Sequence, residues 1–140
     1  MKVMVDTPVW LLALTRKTQE LNETENNIIQ ELAELINETR AEIIGPIRQE
    51  ILSGIKISKP FDQLKRNLKA FPDLGIDTAD YEKAAEFYNF CRKKGIQGSQ
   101  IDFLICSVAY NHKLSIFTID NDFFNYAKYI EIKIHEIRDF

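Results

Sequence analysis

Only two cysteines, Cys91 and Cys106, occur among the 140 residues, too few for a disulfide framework. Both fall in apolar helical patterns, where a thiol behaves as a small buried hydrophobe, so two free core thiols are expected. Long apolar runs are missing as well. The opening residues Met1-Lys2-Val3-Met4-Val5-Asp6 lack the extended apolar stretch and small-residue cleavage site of a signal peptide, and no later stretch is long enough to cross a bilayer. A cytoplasmic protein without membrane contact is therefore expected. The chain also lacks an excess of positive charge. Its 18 Lys and Arg against 21 Asp and Glu give a formal net charge of −3, which excludes a protein that binds nucleic acid simply by being basic. Any RNA contact must be local or mediated by a metal ion. Repeats, low-complexity segments and linkers are absent, so residues 1–140 are read as a single domain with one core.

What is present is a globular mixture, 45% hydrophobic and 28% charged, in which apolar runs alternate with amphipathic stretches. Lys2-Val3-Met4-Val5 reads as a buried strand leading into a helix, with Thr7 as cap and Pro8 as its first residue. Ile28, Ile29, Leu32, Leu35 and Ile36 follow helical spacing, with Glu25, Asn26, Glu31, Glu34 and Glu38 on the other face. Ala41 to Ile44 reads as a second strand, broken by Gly45-Pro46 before the helical stripe Ile47, Ile51, Ile55, which carries Glu50. Phe61, Leu64, Leu68 and Phe71 define a helix ended by Pro72, and its outer Lys65, Arg66 and Lys69 form the best basic patch. Tyr81, Ala84, Ala85, Tyr88 and Cys91 define another helix, closed by Arg92-Lys93-Lys94-Gly95 in the way a helix C-terminus favours. Ile101 to Tyr110 holds one charge, Asp102, and must be largely surrounded by protein. Leu114 to Ile119 reads as a third strand, followed by Asp120-Asn121-Asp122 and a short helix from Phe123, and Ile130 to Ile137 alternates like a last strand. Strands alternating with helices imply an α/β fold with a mainly parallel sheet and right-handed crossovers.

Several acids stand out against this frame. Asp6 and Asp120 each follow an apolar strand directly, and the carboxyl ends of parallel strands gather along one edge, where ligands bind. Each acid also has a structural explanation. Asp6 can cap a helix, although Thr7 is available for that role. Ser99-Gln100-Ile101-Asp102 matches a capping box, which on its own accounts for Asp102. Glu50 sits at the border of its apolar stripe, where a side chain is either solvated or reaches into a cleft. One of Asp120 and Asp122 caps the next helix, but two acids in three residues exceed what one helix end needs. Together these like charges would oppose folding unless protons or cations intervene, and a divalent cation answers that repulsion. Oxygen ligands point to Mg2+ or Mn2+ rather than zinc, since no Cys or His pair has metal-ligand spacing. His112 and His135 are read as surface or strand residues. Such ions suit phosphodiester hydrolysis, where they offset repulsion between acidic protein and phosphate, orient a water and stabilise the leaving oxygen.

Four segments in this order, Val5-Asp6-Thr7-Pro8-Val9-Trp10, Gln49 to Gly54, Asp102 to Ala109, and Thr118-Ile119-Asp120-Asn121-Asp122-Phe123, resemble the PIN-domain nucleases, and within them the toxin ribonucleases of VapC type. The resemblance covers nearly the whole chain. It implies a three-layer α/β/α fold around a sheet of about four or five strands. It further implies an acidic quartet of Asp6, Glu50, Asp102 and Asp120, with Asp122 auxiliary and Thr7 and Thr118 as polar supports. An RNA substrate, Mg2+ or Mn2+, a homodimer and inhibition by a small antitoxin follow from it too. In this reading Asp6, Asp102 and Asp120 bind the principal ion, Glu50 and Asp122 complete the site or orient water, and Lys65, Arg66 and Lys69 guide RNA. Two features depart from the family pattern: Pro8, where a small polar residue is common, and the long acidic helix from Glu20 to Glu38. The rival readings are a PIN nuclease of RNA processing without an antitoxin, a catalytically silent PIN-like module that binds RNA or protein, and an aspartate-nucleophile phosphatase or phosphotransfer domain. Against the last, the position two residues after Asp6 holds Pro8 rather than a second Asp.

Overall fold

A computed structural model describes residues 1–16 and 18–138. Among these, three strands and seven α-helices alternate: β1 (Val3–Val5), α1 (Thr7–Thr15), α2 (Glu23–Asn37), β2 (Ala41–Glu42), α3 (Gly45–Ser53), α4 (Ser58–Leu68), α5 (Thr78–Lys93), α6 (Gln100–His112), β3 (Ser115–Phe117) and α7 (Asn121–Tyr126), with a 3-10 turn at Thr18–Glu20. The strands are all parallel in the order β2-β1-β3. β1 is the central strand and Val3, Met4 and Val5 are fully buried, as an uninterrupted apolar strand covered on both faces must be. The helices sort into two groups, α1 to α4 and α5 with α6, which meet through the sheet: α2 packs on β2, and α6 on β1 and β3.

The sheet is smaller than the four or five strands expected. Ile43 bridges to Asp73 and Ile116 to Ile134, but neither bridge extends into a strand among the described residues. The segment read as a last strand over 130–137 thus holds only one ladder step, in which Ile116 N donates to Lys133 O and His135 N to Ile116 O, each at 2.8 Å. Its side chains explain the deviation. His135 is not a surface residue: its Nε2 lies 2.6 Å from Glu31 Oε2 and its side chain is 10% exposed. Glu31, read as part of the polar face of α2, is buried and also accepts from Arg138 Nε at 3.0 Å. Burying a carboxylate requires such partners, and they tie the C-terminal segment to α2 as well as to its one ladder step on β3.

Elsewhere, local chemistry matches the pattern. Gly95 adopts φ +78° after the basic end of α5, a conformation that favours glycine, and Cys91 and Cys106 are buried and free. Tyr81 and Ala85, expected in the buried stripe of α5, are exposed, whereas Asp80 is buried, accepting from Asn111 Nδ2 at 2.8 Å. No described helix is long and apolar enough to cross a membrane.

Candidate functional site

The site forms along the edge where β1 and β3 end. Asp6 follows β1, and its amide donates to Phe117 O at 2.9 Å, extending the ladder to the last residue of β3. The chain then turns into α1, and the cap of that helix is Asp6 rather than Thr7: Oδ1 accepts from Thr7 N at 2.9 Å. The other carboxylate oxygen accepts from Thr118 Oγ1 at 2.8 Å, and Thr118 Oγ1 in turn accepts from Asp120 N at 3.0 Å. Thr7 is thereby released to donate from Oγ1 to Glu50 Oε1 at 2.8 Å. Asp120 caps α7 by accepting from Asp122 N at 2.9 Å, which leaves Asp122 as the surplus acid of the pair.

Asp102 reaches the same edge because α6 precedes β3 and runs back across the sheet, so its N-terminus lies where the parallel strands end. Ser99 Oγ accepts from Asp102 N at 3.0 Å, as a cap should. The reciprocal half of the expected capping box is replaced: the Asp102 carboxylate accepts from Tyr126 Oη at 2.7 Å.

Asp102, Asp120 and Asp122 each offer an oxygen lying within 4.8 Å of the other two. Asp6 is buried beside them and its pKa is raised to about 6, chiefly by loss of hydration and further by the charges of Asp102 and Asp120, against the hydrogen bonds from Thr118 and Thr7. The carboxyl of Asp102 is also raised, first by desolvation and then by Asp120 and Asp122. Among the described residues none of the five acids Asp6, Glu50, Asp102, Asp120 and Asp122 makes a salt bridge. An oxygen-only donor set with unbalanced negative charge fits Mg2+ or Mn2+.

The five acids are not equally close. Glu50 is exposed, and among the described residues its hydrogen bond from Thr7 Oγ1 is what links it to the group. Lys65 and Arg66 on α4 and Lys69 at its C-cap are exposed; α4 packs on α3, and Arg66 bonds to Gln63 within its own helix. Among the described residues no hydrogen bond or ion pair ties these three to the acidic edge. Sequence reasoning missed Tyr126. Its spacing from Phe123 marks the buried face of a short helix, and the only hint of a further role is that a buried phenol needs a partner.

The PIN domain family model matches residues 3–129, which span all three strands and the entire acidic edge. The chain belongs to the PIN-domain family. Ribonuclease VapC11 of Mycobacterium tuberculosis is 30% identical to this PIN domain over 125 residues, covering 86% of this chain and 88% of the relative. Among solved structures, FitAcB from Neisseria gonorrhoeae superposes with a TM-score of 0.76 at 19% identity, covering 96% of both chains. A toxin-antitoxin complex from Klebsiella pneumoniae gives a TM-score of 0.62 at 15% identity, covering 86% of this chain and 88% of the other. At those identities the structural likeness establishes the PIN fold.

Proposed function

We propose that this PIN domain is a divalent-metal-dependent endoribonuclease and the toxin of a toxin–antitoxin pair. The observation that carries the reading is the convergence of Asp102, Asp120 and Asp122 beside the buried Asp6, with no salt bridge to any of the four among the described residues. A relative named as a ribonuclease, aligned over most of both chains, supplies the substrate class.

Asp102, Asp120 and Asp122 would hold Mg2+ or Mn2+, with Asp6 completing the set from the strand end. Bound there, the ion supplies charge neutralisation for a phosphodiester and polarisation of a hydrolytic water. The protein's own contribution is positional. Thr118 and the Thr7 amide fix both oxygens of Asp6, and Thr118 also fixes the start of α7 through the Asp120 amide. Thr7 holds Glu50 at the outer side of the group, where an exposed carboxylate can take a proton from water. Lys65, Arg66 and Lys69 act at longer range, giving RNA a local positive surface on an otherwise acidic protein. The exposed apolar groove between α5 and α6, which includes Tyr81 and Ile101, fits a homodimer contact, and the complex from Klebsiella pneumoniae supports an antitoxin partner.

Cleavage of single-stranded and structured RNA, with Mg2+ or Mn2+ and with chelator, tests this alongside Asp6→Asn. Cleavage is expected only with metal and intact Asp6. Activity that survives chelation and the substitution, or the absence of any cleavage, refutes the reading, and RNA binding without cleavage would favour a silent module. Combined Lys65→Gln, Arg66→Gln and Lys69→Gln should weaken RNA binding and flatten its salt dependence without abolishing turnover.

A further inference from the structure

Tyr126 lies at the end of α7, and its buried ring is clamped between Phe103, 4.7 Å away between centroids, and Phe123, at 5.4 Å in an edge-to-face arrangement. Its hydroxyl occupies the space a side chain at position 98 would fill. A Cβ on Gly98 would collide with Tyr126 Oη and come within 2.7 Å of Phe103 Cε2 and 2.8 Å of Tyr126 Cζ. No left-handed backbone explains this glycine, since among the glycines only Gly95 has positive φ. The slot exists for the phenol. Through it Tyr126 Oη donates to Asp102 Oδ2 at 2.7 Å, so one oxygen of that acid is already engaged by the protein.

We propose that Tyr126, seated in the slot left by Gly98 and clamped by Phe103 and Phe123, is the positioning residue of the cation site, fixing the Asp102 carboxylate for the ion. The inference rests on the metal-binding reading given above. A carboxylate with both oxygens free samples several orientations and loses that freedom on binding. One held by a rigid phenol has lost it beforehand, and hydrogen bonds to metal ligands are known to set affinity in this way. A buried phenol bonded to an acid also satisfies itself, so the test must separate metal tuning from packing.

Calorimetric titration of Mn2+ into the full chain makes that separation, with Tyr126→Phe, Gly98→Ala, Asp102→Asn and the Tyr126→Phe/Asp102→Asn double variant. Tyr126→Phe keeps the ring and its packing and is expected to weaken Mn2+ binding by about 10- to 100-fold. Gly98→Ala should weaken it in the same direction by displacing the hydroxyl. In the Asp102→Asn background, Tyr126→Phe should cause no further loss, because its effect runs through Asp102. The proposal is overturned if Tyr126→Phe binds Mn2+ as tightly as the parent, if its effect persists undiminished in the Asp102→Asn background, or if Tyr126→Phe fails to fold, which would make the hydroxyl a packing requirement. Should Gly98→Ala fail to fold, Tyr126→Phe and the double variant decide. A parent chain that binds no Mn2+ would overturn the functional reading itself, a result distinct from the others.

Discussion

Asp6→Asn should make the metal-free protein more stable at neutral and alkaline pH while abolishing its activity. Burial and the neighbouring charges of Asp102 and Asp120 raise the Asp6 pKa from 3.8 to about 6, so its ionised form is disfavoured in the fold by about 3 kcal/mol. The sign is the reverse of the usual aspartate. Below about pH 4 the group is protonated whether the chain is folded or not, and its favourable contribution is fully present. As pH rises towards 6 the folded chain retains a proton that the unfolded chain has released, and stability declines until the folded group ionises as well. Asparagine removes the charge and retains the cap to the Thr7 amide, but it gives up the acceptor for Thr118 Oγ1, a loss of about 1 kcal/mol. The net gain at pH 8 is then about 2 kcal/mol, or about 6 °C in Tm for a domain of this size. Urea unfolding in chelator at pH 4.5, 6 and 8 reads the effect: the two chains should converge at low pH and separate as pH rises. If Asp6→Asn is the less stable chain at pH 8, or if the two pH profiles run parallel, the assignment of Asp6 as a strained buried carboxylate is wrong. Added Mn2+ should stabilise the parent more than the variant, since only the parent presents the full ligand set.

Thr118→Val preserves shape but deletes the donor to Asp6 Oδ2 and the acceptor for the Asp120 amide; it should destabilise the fold by about 1–3 kcal/mol and move the Asp6 pKa further above 6, as followed by carboxyl NMR titration. Glu31→Ala, which deprives His135 and Arg138 of their buried partner, should cost about 2–3 kcal/mol in urea unfolding and raise the rate of amide exchange at His135 and Ile116 as the C-terminal segment loosens.

Much of the fold was legible because the local rules agreed with the global one. Val3 to Val5 is apolar on both faces and became the central strand, and Gly95 after a basic helix end took the left-handed turn. The C-terminal segment was misread because its alternation is also what a chain shows when His135 and Arg138 reach back to a buried acid a hundred residues earlier. No local pattern reports such a pairing. At the site, Asp6, Asp120 and Asp122 could be found from strand ends alone, whereas Asp102 looked like a capping residue and Glu50 like a solvated one. Each description is partly right. Asp102 does sit over the Ser99 cap, yet its carboxylate turns to Tyr126, and Glu50 is exposed, yet it is held by Thr7. The cap was assigned to Thr7 because either residue satisfies the helix start; the hydrogen bond from the Thr7 amide to Asp6 Oδ1 makes Asp6 the cap, and the Thr7 hydroxyl turns to Glu50.

The most direct test of the account is to locate the ion. Crystals grown with MnCl2, with data collected at the manganese absorption edge, should show an anomalous peak among the carboxylates of Asp102, Asp120 and Asp122, within coordination distance of their oxygens and adjacent to Asp6. A structure with saturating Mn2+ and no such peak, or with manganese bound only at unrelated surface acids, would contradict the claim that this edge of the sheet is a metal-dependent catalytic site.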